Sequence, residues 1–351
     1  MIIHKDFPGG NIHVVEQTGS EVILENELRD TTGDWFYWAF CVENAENTEV
    51  TFRFLVDIRV GHWGPAVSHD LKTWHWLDSV DGESFTYRFA AGENRVYFAH
   101  HMLYHPERFF AFAKQYNLEV GELCKSKKGR SVPYVSFGSG SNHVLLAARN
   151  HACESTGNYV LEGVLTSLLL EPMEDMRIFC VPFVDYDGVV DGDQGKSRYP
   201  HDHNRDYTSA ETAIYPEVAQ ILRYADTHSI RYAFDFHSPF HKRRRNDYIF
   251  IVRKLKEMQL NQFSEELKNA VTPSSMQYSG EWDVPLNTEW NVLGTGFSSN
   301  MSRRPECDLS FTLESTYFGN PQDRISQEKL VELGKCFAKA FRSYHKKQNA
   351  I

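Results

Sequence analysis

HVLLAARNHACESTGNYVLEG, residues 143–163, is an apolar run of strand length, then a polar turn, then a segment that opens with Thr156-Gly157 and continues as an apolar helix. A strand that feeds a helix through a short turn is the repeating unit of α/β folds, whose ligand sites lie beyond the strand ends. The turn carries His151 and Glu154, three residues apart where the backbone bends, so the two side chains can converge. Taken alone, H-x-x-E is weak. His13-Val-Val-Glu16 is a decoy of the same form, but it sits in an alternating strand whose period of two sends positions three apart to opposite faces.

Downstream of His101 the same grammar repeats. Helical segments such as HPERFFAFAKQYN, TAIYPEVAQILRYADTH and ISQEKLVELGKCFAKAFRSYHKK alternate with short apolar strands: RIFCVPFVD, IRYAFDFH, DYIFIV and LSFTLES. This predicts an α/β domain over residues 104–351 with a mixed central sheet flanked by helices. Upstream, NIHVVE, EVILEN, WFYWAFCVE, EVTFRFLVDI, FTYRFA and RVYFAHH alternate with period two between turn-prone pieces such as TTGD and DGES, which predicts an all-β sandwich over residues 1–103. Trp35, Trp38, Trp63, Trp74 and Trp76 fall there and are read as core, with a sugar-binding stripe as the rarer alternative.

A chain of 351 residues, 41% hydrophobic, has room for two such domains, and its formal charge of −10 excludes a general affinity for nucleic acid or anionic membrane. No window approaches the roughly 18 apolar residues of a membrane span, and MIIHKDFPGG does not read as a signal peptide, so a soluble cytoplasmic protein is expected. The six cysteines show no C-x-x-C spacing and read as reduced, buried thiols; a metal here falls to histidine and carboxylate.

Catalytic zinc takes three protein ligands, often two histidines and a glutamate, and keeps a fourth position for water. His237, at the end of IRYAFDFH, is favoured as third ligand over His201, His203 and His241, because strand ends of one parallel sheet lie together whatever their separation in sequence. A base for the water is sought among acids at other strand ends. Glu314, closing LSFTLES among apolar residues, needs either such work or a salt-bridge partner. The polar loop GDQGKSRYPHDHNRDY, residues 192–207, offers Asn204-Arg205, a pairing suited to a carboxylate, and Asp202, which can accept the remaining N–H of a ligating histidine.

In order, RNHACESTGNYVLEG, VPFVDYDGVVDG, DHNRDY, FDFH and FTLESTYFG resemble the zinc metallocarboxypeptidases of the carboxypeptidase A type, most of all the cytosolic carboxypeptidase branch. The resemblance implies one zinc ion per chain on His151, Glu154 and His237, with Glu314 as general base, Asn204 and Arg205 as the clamp for a terminal carboxylate, and Asp202 as partner of the first ligand histidine. It also implies a second cation that polarises the scissile carbonyl; Arg198 is favoured over Lys196. Where the branch places an arginine after Gly-Thr-Gly to read acidic side chains, this chain has Phe297, and Cys153 stands between the ligands where glycine is common.

The expectation is a zinc carboxypeptidase that hydrolyses the last peptide or isopeptide bond of a peptide or protein bearing a free carboxylate, with no nucleic-acid or membrane partner. The alternatives are an amidohydrolase of the aspartoacylase or succinylglutamate desuccinylase kind and a non-catalytic binding module. HKRRR, residues 241–245, is a solvated loop or a positive entrance that favours acidic substrates, and FGSGSN, residues 137–142, is a tight turn rather than a phosphate loop. The sequence leaves oligomeric state open.

Overall fold

The computed structural model describes residues 1–349. Nine strands come first: β1 (Ile2–His4), β2 (His13–Thr18), β3 (Glu21–Glu25), β4 (Ala39–Glu43), β5 (Glu49–Phe54), β6 (Ala66–Ser68), β7 (His75–Trp76), β8 (Ser84–Arg88) and β9 (Arg95–Ala99). They form two sheets, β1-β4-β9-β6-β7 and β2-β3-β5-β8, antiparallel throughout except where β3 meets β5. The period-two pattern does what it implies: in β5, Val50, Phe52 and Phe54 are buried and the residues between them are not. Their partners across the sandwich include Trp38, Phe40 and Phe98, while Phe85 sits beside Phe52 in the same sheet. Trp38, Trp74 and Trp76 are core residues, and the Trp76 indole donates to the Ile325 carbonyl at 3.1 Å, so the tryptophans pack rather than form a sugar platform.

The rest alternates helix and strand. α1 (Pro106–Gln115), β10 (Val120–Lys125), β11 (Ser131–Phe137), β12 (Asn142–Ala148), α2 (Thr156–Leu170), β13 (Met176–Val181), α3 (Tyr186–Asp191) and α4 (Pro216–Thr227) are followed by β14 (Ile230–His237), β15 (Phe250–Val252), α5 (Glu257–Ala270), α6 (Phe297–Ser302), β16 (Leu309–Glu314) and α7 (Gln327–Asn349). One seven-stranded sheet results, in the order β10-β11-β13-β12-β14-β16-β15. β13, β12, β14 and β16 are mutually parallel, while β10, β11 and β15 join antiparallel at the edges. The mixed sheet is as expected; the β10–β11 hairpin is not among the segments the sequence marks.

α2 is buried nearly all round because sheet and helix cover it from both sides. α7 is amphipathic, burying Leu330, Leu333, Phe337, Phe341 and Tyr344 along one stripe. The two helices touch through glycine: a Cβ on Gly163 would lie 1.9 Å from the Val331 carbonyl oxygen, and one on Gly334 2.0 Å from that of Val160.

A cluster of buried histidines sits where the sandwich meets the α/β part. The His100 and His101 Nδ1 atoms are 2.9 Å apart, and the His241 ring lies 4.9 Å from that of His100. Burial holds His101 down at about 3 and His105 at about 4, with the charge of Arg149 adding to both. Burial likewise holds His100 and His241 well below the usual range, helped by neighbouring imidazoles and Lys242. An unfolded histidine titrates near 6.5, so below that pH the unfolded chain binds more protons than the folded one. The stability contributed by these groups is therefore complete above about pH 6.5 and lost as pH falls; His101 alone accounts for about 2 kcal/mol at pH 5. Thermal melts should show a steep fall in Tm between pH 6.5 and 4, and His101→Phe should flatten it. An unchanged pH slope in that variant would remove these rings as the cause.

Candidate metal centre and active site

β12, β14 and β16 lie side by side, with Ala148 opposite Phe236 and His237 opposite Glu314. The ends of these strands therefore deliver their side chains to one place. The chain leaves β12 through Arg149, whose positive φ of 59° starts the turn. The buried Arg149 guanidinium donates to the Ala152 carbonyl at 2.7 Å and to Ser155 Oγ at 3.0 Å, which holds the His151–Glu154 turn closed. No motif in the sequence marks that staple.

His151, Glu154 and His237 come together with donor atoms all within 4.8 Å of one another. Glu154 stands between the rings: His151 Nδ1 is 2.9 Å from its Oε1 and His237 Nδ1 2.6 Å from its Oε2. Each ring is backed on its far side by an aspartate. His237 Nε2 lies 2.7 Å from Asp235 Oδ2, and His151 Nε2 lies 3.6 Å from Asp202 Oδ1. The second distance is beyond an ordinary hydrogen bond, so Asp202 is adjacent to its ring rather than bonded to it. With Nε2 of each ring facing an aspartate, Nδ1 is the ring atom turned to the centre, the arrangement that carboxylate partners impose on metal-ligating histidines. Asp235 is itself held by Asn150 Nδ2 at 2.9 Å, and Asn150 Oδ1 accepts from Tyr207. Asp235 is absent from the expected set, although a buried acid two residues before His237 on one strand shares its face and was findable.

Glu314 projects into the same place. Burial pushes its carboxyl up to about 7, against the pull of His237, and its Oε2 is buried without a hydrogen-bond partner. Two imidazole Nδ1 atoms, one shared carboxylate and one unpartnered carboxylate oxygen fit a divalent ion, which would draw the Glu314 pKa back down.

The loop of residues 192–207 corrects one expectation. Arg198 does not face the centre: its guanidinium is ringed by Asp30 at 3.0 Å, Asp185 at 2.7 Å and Asp193 at 3.0 Å. Three carboxylates outcompete the cavity for one cation, and two of them were invisible as partners in the sequence. Lys196 is the cation that arrives instead, with Nζ 2.5 Å from Glu154 Oε1 and 4.7 Å from the Trp35 ring. Burial opposes its charge, but the Glu154 carboxylate raises its pKa. Gly195 makes the approach possible: at φ +74° its Cα passes so near Ala152 that a Cβ would sit 2.1 Å from the Ala152 nitrogen.

Two connected spaces open from the centre. A cavity of about 830 Å³ is lined by His151, Glu154, Lys196, Arg205 and Glu314 and, at its mouth, by residues 242–245 of the basic loop. A smaller one of about 150 Å³ is lined by Asn204, Arg205, Lys254, Ser298 and Thr312 beside the same metal-site residues. Asn204 Oδ1 accepts from the Phe297 backbone N–H at 3.0 Å, which leaves its amide NH₂ free for a ligand, and Arg205 donates to the Asn204 carbonyl. Phe297 is buried against Tyr207, with ring centroids 5.4 Å apart. Burial pushes the Cys153 thiol up to about 12, so at neutral pH it is not a thiolate nucleophile.

Comparison with known proteins bears on the whole chain. Residues 3–101 match the model of the cytosolic carboxypeptidase N-terminal domain family. An uncharacterised protein of Zymomonas mobilis is 28% identical over 255 residues, 67% of either chain. Cytosolic carboxypeptidase 2 of Xenopus tropicalis is 24% identical over 216 residues, covering 52% of this chain but 22% of that relative, so the chain spans about a fifth of its length. Among solved structures, a metallo-carboxypeptidase from Burkholderia cenocepacia superposes with a TM-score of 0.80 at 20% identity over 99% of both chains, which shows a shared fold. The resemblance to the zinc carboxypeptidase family is borne out by these matches. His151, Glu154 and His237 are placed so that they could bind a metal ion.

Proposed function

We propose that this chain, with the metallo-carboxypeptidase fold behind a cytosolic carboxypeptidase N-terminal domain, is a zinc-dependent carboxypeptidase, its sandwich spanning residues 1–103 and its catalytic unit residues 104–351. The observation that carries this reading is the meeting of two inward-facing imidazoles and Glu154 beside a buried carboxylate, Glu314, that has no other partner. Zinc bound there would supply Lewis acidity to the scissile carbonyl and would lower the pKa of a water. Glu314 takes the proton from the attacking water and returns it to the leaving amine. Lys196, already inside the cavity, turns from Glu154 to the carbonyl oxygen as negative charge develops there. Asn204 and Arg205 hold the substrate's terminal carboxylate at the rim of the smaller space, which makes the reaction exopeptidic. The cytosolic carboxypeptidase relatives favour work in the cytoplasm, and no helix of the described residues is long and apolar enough to cross a membrane.

The substrate class follows from what the smaller space contains. Its polar contacts leave two cations without carboxylates: Lys254 Nζ reaches Asn291 Oδ1 at 2.5 Å and the Val292 carbonyl at 3.3 Å, and Arg205 its neighbour's carbonyl. Burial and the nearby Arg205 charge bring Lys254 down to about 8, a cation in want of an anion. With Arg205 on the terminal carboxylate, Lys254 is left for a second one, so the preferred last residue is glutamate or aspartate, and the basic loop at the mouth extends that preference to acidic tails.

Peptides differing only in their last residue, assayed beside N-acyl amino acids and with the metal removed by chelation, test the assignment. Metal-dependent release of the last residue from free acids is expected, and hydrolysis of N-acyl amino acids alone would favour the amidohydrolase. Lys254→Met should lower kcat/KM on glutamate-ending peptides by about tenfold to a hundredfold, the worth of a hydrogen bond between charged groups, and leave leucine-ending peptides nearly unchanged. Equal losses on both would remove Lys254 from side-chain selection.

A further inference from the structure

We propose that His4, Cys41 and Glu43 form a second divalent metal site, structural in role, at the outer edge of the sandwich, for a thiophilic ion such as zinc or cobalt. β1 pairs antiparallel with β4 so that His4 lies directly opposite Cys41 and Ile2 opposite Glu43. Side chains alternate along a strand, so Cys41 and Glu43 share a face, and the cross-strand His4 shares it with them. Their donor atoms lie within 4.8 Å of one another, and His4 Nε2 is already 3.7 Å from Glu43 Oε1. Tetrahedral zinc with these ligands has donor separations of about 3.3–3.6 Å, within a side-chain adjustment of what is present.

Each ligand is prepared for the task. The Arg95 guanidinium binds Glu43 Oε1 through Nε at 2.7 Å and Nη2 at 2.6 Å, which fixes the carboxylate beside His4. The His4 and Glu43 side chains are 23% and 24% exposed, so an ion and a fourth-ligand water can reach them, whereas Cys41 is fully buried beneath. Sulfur, nitrogen and oxygen together select zinc-like ions over magnesium or calcium. On binding, the Cys41 S–H bond breaks and its proton goes to solvent as the S–metal bond forms. The His4 ring proton moves from Nε2 to Nδ1, which gives up the single 3.2 Å bond from the Asp6 N–H. A filled site would pin β1, a three-residue edge strand, to the sheet.

Cobalt(II) titration of the metal-free full chain tests this without reference to activity. The catalytic ligands His151, Glu154 and His237 include no sulfur, so a near-ultraviolet sulfur-to-cobalt charge-transfer band reports the second site alone. Two equivalents and that band are expected for the native chain, and one equivalent without the band for Cys41→Ser. Glu43→Gln, which leaves the core intact, should weaken the band-forming event at least tenfold and leave the other unchanged. A single equivalent in the native chain, a band that survives Cys41→Ser or moves with Cys153→Ala, or unchanged affinity in Glu43→Gln would each overturn the site.

Discussion

Glu314→Gln is expected to lower turnover by about three orders of magnitude while metal content and the melting curve stay those of the native protein. The substitution is isosteric and removes one capacity, that of taking up and releasing a proton. Glu314 ends β16 opposite His237, so it reaches the centre without being one of the three converging ligands, and the metal set survives the change. Its environment is tuned for proton traffic: burial lifts the carboxyl to about 7, and an ion between the imidazoles would lower it until the group is charged at neutral pH and still a usable acid after it has been protonated. General acid–base catalysis contributes about 10²–10⁴-fold, and a residue serving as base and then as acid belongs at the upper part of that range. Metal analysis, circular dichroism and steady-state kinetics on the purified variant decide the matter. Native turnover with a full metal complement would refute the role; lost turnover with lost metal would make Glu314 a support of the site instead.

The parts of this site that were legible in the sequence are those fixed by strand ends. IRYAFDFH and LSFTLES are mostly apolar strands that close on a chemical residue, and a parallel sheet must then put His237 and Glu314 side by side, as the register does. The loop of residues 192–207 has no such rule. Whether Lys196 or Arg198 turns inward depends on Gly195 crossing over Ala152 and on Asp30, a sandwich residue 168 positions away in the chain, reaching Arg198. Neither fact has a local signature. The β10–β11 hairpin escaped notice for a similar reason: Pro133 interrupts its second strand and argues against a paired segment, but it falls beside the register shift between Glu122 and Cys124, where a missing N–H is tolerated. Lys254 was hidden because it follows the edge strand β15 rather than a recognised motif, so only the folded chain shows it sharing a space with Arg205.

Arg205→Ala should separate two substrates that the native enzyme distinguishes only in degree. On peptides with a free terminal carboxylate, kcat/KM is expected to fall about 10²–10³-fold, the cost of leaving one partner of a desolvated charge pair alone, about 3–4 kcal/mol. On the same peptides as C-terminal amides, already poor substrates, the change should stay within a few-fold, because the guanidinium has no anion to lose. The structure gives the Arg205 side chain little else to do: it lines both spaces, and its guanidinium donates to the carbonyl of Asn204. Asn204 in turn has its Oδ1 committed to the Phe297 N–H, so the two side chains present only donors to whatever binds between them. An all-donor clamp has no use for an amide nitrogen and selects an anion by leaving its own groups unpaired otherwise. Equal losses on acid and amide would mean that Arg205 shapes the cavity without reading the chain end, and would overturn the carboxylate clamp.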